Sequence, residues 1–270
     1  MLRVLTWNLF HGRDFPPDPT LFTWRSRLLR ITERNATHLQ VNRDLYPEFE
    51  RLIAGADWDV ALLQECPPRW TASLARACEA EPHTSLTSRN SLAFLRRIGA
   101  WLNPDLIGSD EGGSNLTLAR PASGGIVERR ELVLAPGPHP ERRTMAFTRF
   151  RTSVCLANLH ASAGPANRPR AERELLAAAE HAADWAAEAP LIVGGDCNVR
   201  PRESGVYEEL ERRFGLCCPT APTSLDHLLA RGLEVVDAPA AWPPERREVV
   251  AADGRAIRLS DHAPVSAAFV

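Results

Sequence analysis

The sequence predicts an α/β protein in which two packed β-sheets form the core and helices lie on the outside. Two observations carry this prediction: many short apolar runs have the length of buried strands, and helix-like segments lie between them. The chain has 270 residues, 44% of them hydrophobic, which is enough for one large core. Because the candidate functional residues extend from Asn8 to His262, we expect residues 1–270 to form a single domain.

The predicted strands are spread along the whole chain. They are Arg3–Leu5, Val60–Gln64, Leu116–Arg120, Ile126–Leu134, Met145–Phe150, Val154–Asn158, Leu191–Val193, Asp226–Leu229, Glu234–Val236 and Pro264–Phe269. The clearest helix is Ala171–Ala187, which is rich in Ala, Leu and Glu and is soon followed by Pro190. Weaker helical patterns cover Leu45–Ala54, Trp70–Ala80 and Tyr207–Phe214. Loops are expected at Phe15–Pro19, Ser109–Ser114, Pro136–Pro140 and Pro239–Pro244.

The charge balance excludes a strongly basic nucleic-acid-binding protein, because 32 basic residues stand against 34 acidic ones and the formal net charge is −2. It does not exclude an enzyme that acts on nucleic acid, since the charge around a cleft can differ from the total. All the basic residues are arginines. No lysine is therefore present to serve as a nucleophile, and phosphate contacts by basic side chains fall to arginine.

The cysteines and the N-terminus indicate a cytoplasmic protein. None of the six cysteines belongs to a C-x-x-C pair, and reduced thiols are the default in that compartment. No signal peptide precedes the first predicted strand, and no apolar run is long enough to span a membrane. We therefore expect no membrane anchor.

The stretch Leu191–Asn198 is the most informative in the chain. A strand-like apolar run is followed by two glycines and then by Asp196 and Asn198. The rigid strand would hold the side chains of Asp196 and Asn198 in fixed directions at the rim of a sheet. A carboxylate there can orient or deprotonate water, and an amide can hold a phosphoryl oxygen without adding negative charge. The alternative is an ordinary Asx turn.

Further polar groups follow strand-like runs in the same way, and such a repeated pattern is typical of a sheet enzyme whose strand ends meet at one site. Glu65, with Asn8 and Asp261 near it, would form an oxygen-rich site of the kind that binds Mg²⁺, although a strand-end carboxylate can also cap a helix. His262 needs a partner that fixes its tautomer, and Asp226 or Asp261 could supply it. His160 is a second candidate, as a general acid for the leaving oxygen or as a phosphate contact.

Other reaction classes lack their motifs. The sequence has no G-x-S-x-G for a serine hydrolase, no G-x-G-x-x-G or Walker loop for a nucleotide, and no H-E-x-x-H or cysteine–histidine spacing for zinc. Chemistry carried by carboxylates, amides and histidines remains.

Five motifs occur in a fixed order: Thr6-Trp7-Asn8, Leu63-Gln64-Glu65, Asn158-Leu159-His160, Gly194-Gly195-Asp196-Cys197-Asn198 and Ser260-Asp261-His262. In this order they resemble the endonuclease/exonuclease/phosphatase superfamily, which includes DNases, abasic-site endonucleases, sphingomyelinases and inositol polyphosphate 5-phosphatases. The resemblance implies a four-layered α/β sandwich, with two packed mixed β-sheets flanked by helices. It also implies divalent-metal-dependent hydrolysis of a phosphate ester.

The resemblance implies roles for the metal-binding and water-handling residues. Asn8 and Glu65 look like the metal site, and Asp261 looks like an additional metal or site carboxylate. Asp196 resembles the residue that orients or activates the attacking water, and Asn198 resembles the one that holds the phosphate.

The remaining roles follow from the same resemblance. Asp226 resembles the partner of the catalytic His262, and His160 lies where several branches carry a second histidine. Asn115 resembles a residue of a segment that lines the substrate cleft. The chain departs from the family at His227, where an aromatic or apolar residue is more common, which leaves the local packing open.

The resemblance implies Mg²⁺ or Mn²⁺ as the cofactor and a phosphate ester as the substrate. The preferred interpretation is a monomeric nuclease that acts on DNA or RNA. The alternative is the same chemistry on a small molecule or a lipid headgroup, and the third interpretation is a catalytically silent scaffold, which the presence of all expected catalytic residue types disfavours. Arginine pairs such as Arg142-Arg143 and Arg246-Arg247 could bind backbone phosphates or lie on solvated surfaces.

Overall fold

A computed structural model describes residues 1–88, 90, 92–137 and 141–270. Its helices are α1 (Trp24–Leu29), α2 (Tyr46–Gly55), α3 (Thr71–Ala77), α4 (Ala93–Leu102), α5 (Pro104–Glu111), α6 (Arg168–Ala186) and α7 (Val206–Phe214). Its strands are β1 (Leu2–Asn8), β2 (Glu33–Arg34), β3 (Leu39–Gln40), β4 (Val60–Cys66), β5 (Glu81–Leu86), β6 (Ser114–Ala119), β7 (Ile126–Ala135), β8 (Arg143–Phe150), β9 (Cys155–His160), β10 (Leu191–Asp196), β11 (Asp226–Arg231), β12 (Val235–Ala241), β13 (Glu248–Val250), β14 (Ala256–Arg258) and β15 (Val265–Phe269). None of these helices is long and apolar enough to cross a membrane.

Two large sheets form the core. One has six strands in the order β12-β15-β1-β4-β6-β5, and the other has five in the order β11-β10-β9-β8-β7. Both sheets are mixed, because β1 runs parallel to β4 and antiparallel to β15, while β10 runs parallel to β9 and antiparallel to β11. The two mixed sheets expected from the sequence are therefore confirmed.

Alternate residues of the central strands face opposite sides of each sheet. Val4 of β1 packs between the sheets, whereas Leu5 packs with the helices α2 and α3. In the second sheet, Ile192 faces the inner layer and Val193 packs with α6 and α7. Because both sheets are covered on both faces, the molecule has four layers, in the order helices, sheet, sheet, helices.

The clearest helical pattern is confirmed as α6, which begins at Arg168 and ends at Ala186. The predicted loop Ser109–Ser114 is wrong at both ends, because α5 extends to Glu111 and β6 begins at Ser114. The predicted loop Pro239–Pro244 is also wrong at its start. β12 includes Pro239, which the strand tolerates because it lies at the edge of its sheet. Residues 138–140 of the predicted loop Pro136–Pro140 lie outside the described residues.

Candidate active site

The inward-facing side chains of four central strands change from apolar to polar toward one edge of the two sheets, namely the edge at which these strands end. Residues two apart in a strand share a face, and these columns are Val4-Thr6-Asn8, Leu62-Gln64, Leu156-Asn158-His160 and Ile192-Gly194-Asp196. Just below the edge, Gln64 Nε2 donates to Asn158 Oδ1 at 2.8 Å and joins the two sheets. The strand ends that the sequence singled out therefore meet.

Asp196 lies at the centre of this edge and is almost completely buried. Its Oδ2 accepts a hydrogen bond from Asn8 Nδ2 at 3.0 Å, and it lies 3.4 Å from His160 Nε2 and 3.7 Å from His262 Nε2. Its Oδ1 accepts from the backbone N–H of Asn198 at 3.1 Å. Burial raises the pKa of Asp196 to about 7, although the charge of His262 and the bond from Asn8 work in the opposite direction.

His262 is held by Asp226, whose Oδ2 lies 2.7 Å from His262 Nδ1. Of the two partners that the sequence left open, the structure thus selects Asp226 over Asp261. Burial acts to lower the pKa of His262, but the negative charges of Asp226 and Asp196 outweigh it and raise that pKa well above its usual value. The ring is therefore an imidazolium at neutral pH, with Nδ1–H donating to Asp226 and Nε2–H directed toward Asp196.

Three residues that the sequence did not single out for this purpose position the loop of His262. Ser260 Oγ donates to the backbone oxygen of Asn8 at 2.6 Å and accepts from the N–H of His262 at 3.0 Å. Arg247 Nη1 and Trp7 Nε1 both donate to the carbonyl oxygen of His262, at 2.9 and 3.0 Å. The side chain of Arg247 is therefore buried and holds the loop of His262 in place. It is neither a backbone-phosphate contact nor a solvated surface residue, the two alternatives considered for its arginine pair.

His160 is held by a different kind of partner. Arg143 Nη1 lies 3.2 Å from His160 Nδ1, and a guanidinium can only donate, so Nδ1 accepts and the ring proton is on Nε2. Burial and the charge of Arg143 lower the pKa of His160 well below its usual value. His160 is thus a neutral ring whose Nε2–H points toward Asp196 and Glu65. Nothing in the local sequence indicates that Arg143 is buried here.

Glu65 reaches the site because β4 is irregular at its end. The register with β6 shifts between Leu63 and Cys66, and Glu65 has a φ of 48°, in the left-handed region. Its Oε2 lies 3.2 Å from Nε2 of His11, which follows Asn8 by three positions and was not predicted as a site residue. Burial acts to raise the pKa of Glu65, but His11 and other nearby cationic groups outweigh it and lower the pKa to about 2.

The other predicted site residues lie around this centre. Asn198 has a φ of 52° and its Nδ2 donates to the carbonyl oxygen of Ala161 at 3.1 Å. Asp261 is exposed at the rim, with its Oδ1 3.4 Å from Ser260 Oγ. Asn115 is completely buried, and its Nδ2 donates to the carbonyl oxygen of Thr144 at 2.7 Å. It supports the strand that begins at Arg143, and its contact with substrate stays a prediction.

The departure from the family pattern at His227 has a packing explanation. The ring is completely buried, its Nδ1 accepts from the N–H of Thr220 at 3.1 Å, and its centroid lies 4.9 Å from that of Tyr207. Burial lowers the pKa of His227 to about 4, so it is neutral. His227 is a hydrogen-bonded core residue beside the site, and Asp226 keeps its contact with His262.

The donors at this edge fit a hard divalent cation. Glu65 offers a carboxylate that is ionised at neutral pH, and Asn8 offers an amide oxygen that lies 2.9 Å from the N–H of Phe10. Ligand atoms of Asp196, Asp226 and His262 lie within 4.8 Å of one another and form a second group that could hold an ion. Since Asp226 and His262 already bind each other, the oxygen donors Glu65 and Asn8 fit Mg²⁺ or Mn²⁺ better.

Known structures share this architecture at low sequence identity. A mannosyl-6-phosphatase from Bacteroides thetaiotaomicron is 17% identical, with a TM-score of 0.63 over 100% of both chains. An endonuclease/exonuclease/phosphatase family protein from the same organism is 16% identical, with a TM-score of 0.63 over 99% of this chain and 97% of the other. A TDP2 from D. rerio, humanized by 14 mutations, is 16% identical, with a TM-score of 0.58 over 100% and 98%.

No curated protein sequence matches the chain. Residues 5–262, which include every predicted site residue, match the sequence model of the Endonuclease/Exonuclease/phosphatase family. This match agrees with the four layers and with the meeting of the five motifs at one edge. The chain belongs to the endonuclease/exonuclease/phosphatase family.

Proposed function

We propose that this protein is a divalent-metal-dependent phosphoesterase that hydrolyses phosphodiester bonds, and that its substrate is a nucleic acid. The observation that carries the proposal is the surrounding of Asp196, whose Oδ2 has Asn8, His160 and His262 within 3.0 to 3.7 Å. Membership of the family supports hydrolysis of a phosphate ester. These groups cover the needs of that reaction, namely charge neutralisation, a directed water and donors to the phosphoryl oxygens.

We assign the cation to Glu65 and Asn8, with Asp261 at the exposed rim. When bound, the cation supplies positive charge that neutralises the phosphoryl group. The low pKa of Glu65, about 2, keeps its carboxylate ionised and ready to bind. Under this assignment His11, whose Nε2 lies 3.2 Å from Glu65 Oε2, orients the carboxylate.

We assign the attacking water to Asp196. Its carboxylate is held in one direction by Asn8 Nδ2 and by the N–H of Asn198, so Oδ2 accepts a proton from water at a fixed position. Gly194 and Gly195 precede it in β10, and a rigid strand behind the carboxylate reduces the cost of orientation.

Two histidines and an amide then act as donors to the phosphoryl oxygens. The imidazolium of His262 donates through Nε2, because Asp226 occupies Nδ1. The neutral ring of His160 donates through Nε2 as well, which favours a phosphate contact over a general acid among its two predicted roles. Asn198 donates one amide hydrogen to the carbonyl oxygen of Ala161, and we assign its other amide hydrogen to the phosphate.

A second candidate function is hydrolysis of a sugar phosphate monoester. It is favoured by the likeness to the mannosyl-6-phosphatase from Bacteroides thetaiotaomicron, which has the same TM-score, 0.63, as the endonuclease/exonuclease/phosphatase family protein from that organism. The same residues would serve, since the water, the cation and the donors act on the phosphoryl group and not on the rest of the substrate.

A substrate panel with Mg²⁺ or Mn²⁺ separates these functions. Supercoiled plasmid, abasic duplex, single-stranded DNA and RNA, inositol phosphates, mannose phosphate and sphingomyelin are incubated with the wild-type protein and with the Asp196→Asn variant. Nicking or cleavage of nucleic acid by the wild type alone supports the nuclease. Phosphate release from a small ester without any cleavage of nucleic acid supports the second candidate, and no turnover of any phosphate ester contradicts both.

A further inference from the structure

A pocket of about 330 Å³ lies beside the candidate active site. Phe10 and Arg13 line it, and these residues flank His11, whose ring contacts Glu65. The segment between β1 and the pocket has an uncommon backbone, because Phe10 and His11 have φ values of 50° and 53°. Such strain is retained where the rest of the fold requires one conformation. The backbone that lines the pocket is therefore held in a fixed shape beside the site.

Three phenylalanine rings form the apolar wall of this pocket. The centroids of Phe10 and Phe15 are 5.8 Å apart with nearly perpendicular planes, and those of Phe15 and Phe22 are 5.1 Å apart. Phe15 and Phe22 keep 39% and 37% of their surface exposed, although they are large apolar side chains. A flat ring that entered the pocket would cover these faces and stack on them.

Two carboxyl groups, those of Asp14 and Asp105, also line this pocket. Asp14 is 1% exposed; its Oδ2 accepts from the N–H of Val41 at 3.0 Å, while no hydrogen bond to its Oδ1 occurs within the described part of the chain. Burial raises the pKa of Asp14 to about 8, so the carboxyl carries a proton at neutral pH and can donate. Asp105, which also lines the pocket, accepts from Gln40 Nε2 at 2.6 Å. A buried polar atom without a partner calls for a group that satisfies it.

We infer that this pocket binds the base of a nucleotide whose phosphate lies in the active site, an inference that rests on the proposed function. A base has flat faces for the phenylalanine rings and an edge with donors and acceptors for Asp14 and Asp105. The guanidinium of Arg13 lies 3.9 Å from the centroid of the Phe10 ring. Arg13 and Arg27 both line the pocket and supply positive charge for the phosphate of the same nucleotide. A sugar ring is puckered and would cover the phenyl faces less completely than a flat base.

Two chromogenic esters test this assignment by their Michaelis constants. The first is the p-nitrophenyl ester of thymidine monophosphate, and the second is methyl p-nitrophenyl phosphate, which has the same leaving group and no base. We expect Phe15→Ala and Phe22→Ala to raise the KM for the thymidine ester by about tenfold. Neither should change kcat/KM for the methyl ester.

Phe94→Ala is the matched control, because Phe94 is 74% exposed on α4 and does not line this pocket. It should leave both esters unaffected. The inference is overturned if the two pocket variants keep the wild-type KM for the thymidine ester. It is also overturned if KM rises equally for both esters, because the rings would then act on the site as a whole.

Calorimetric binding separates a failure of this inference from a failure of the proposed function. In the presence of Mg²⁺, thymidine monophosphate should bind the wild-type protein about tenfold more tightly than ribose phosphate, and Phe15→Ala should remove the difference. This result supports the pocket even if neither ester is hydrolysed. Equal binding of ribose phosphate or mannose phosphate overturns the base assignment, whereas hydrolysis of the methyl ester would leave the proposed function intact.

Discussion

His160 and His262 approach the same oxygen of Asp196 but carry different charges. Asp226 accepts from His262 at 2.7 Å and stabilises its proton, whereas Arg143 donates to His160 and excludes a second proton there. Both histidines were predicted as site residues from their positions after strand-like runs. Their protonation could not be predicted, because it depends on partners that lie 17 and 36 positions away in sequence.

Replacing Arg143 tests the role of His160. Arg143→Met removes the donor to Nδ1 and lets the ring adopt either tautomer, so we expect kcat/KM for a phosphodiester to fall about 10- to 100-fold. Nitrogen NMR of the ring should show the proton leaving Nε2 for part of the molecules. Arg142→Met is the matched control and should have little effect on either measurement. Wild-type turnover in Arg143→Met would contradict the assignment.

Asp14 predicts a pH dependence of stability. Its folded-state pKa of about 8 is above the ordinary value of 3.8. The protonated carboxyl therefore contributes stability that is complete below pH 3.8 and is lost as the pH rises through about 8. Asp14→Asn keeps an acceptor for Val41 and cannot ionise. Between about pH 5 and about pH 9, the variant should therefore lose less stability than the wild type, by up to about 4 kcal/mol. Urea unfolding at several pH values measures this, and parallel curves would refute it.

Among the elements, strong local signals predicted some, whereas the helices α1, α4 and α5 and the strand β5 were among those missed. The apolar run of β10 and the Ala-rich α6 were both recognised. β5 was missed because it is an edge strand with polar residues and Pro82, which reads as a loop. The irregular end of β4 was also invisible, since only pairing with β6 shows that Glu65 leaves the regular alternation.

Gly195 allows β10 to lie close to β9. A methyl group at Gly195 would lie 1.9 Å from the carbonyl oxygen of Leu159, and the φ of Gly195 is 134°. Gly195→Ala should therefore lower the free energy of unfolding by more than about 3 kcal/mol or prevent folding. Gly55→Ala is the control, because nothing lies within 4 Å of a methyl group there, and it should change stability by less than about 1 kcal/mol. Thermal unfolding distinguishes the two, and equal stabilities would be inconsistent with this packing.

At the scale of the whole molecule, the site depends on how the two sheets pack. Asn8 belongs to one sheet and Asp196 to the other, and they are 188 positions apart in sequence. The fold class and the meeting of the strand ends could be predicted, because the five motifs are recognisable in order. The roles of His11, Arg143 and Arg247 could not be predicted, since nothing in their local sequence shows that they contact the site residues.

Cleavage of supercoiled plasmid by the wild-type protein and by Asp196→Asn, with Mg²⁺ and after chelation, tests the central proposal most directly. We expect the wild type to nick the plasmid with Mg²⁺ and to stop when the metal is removed. Asp196→Asn should keep the wild-type melting temperature and lose about a thousandfold or more of the rate. Nicking by Asp196→Asn at the wild-type rate, or nicking that persists in full after chelation, would contradict it.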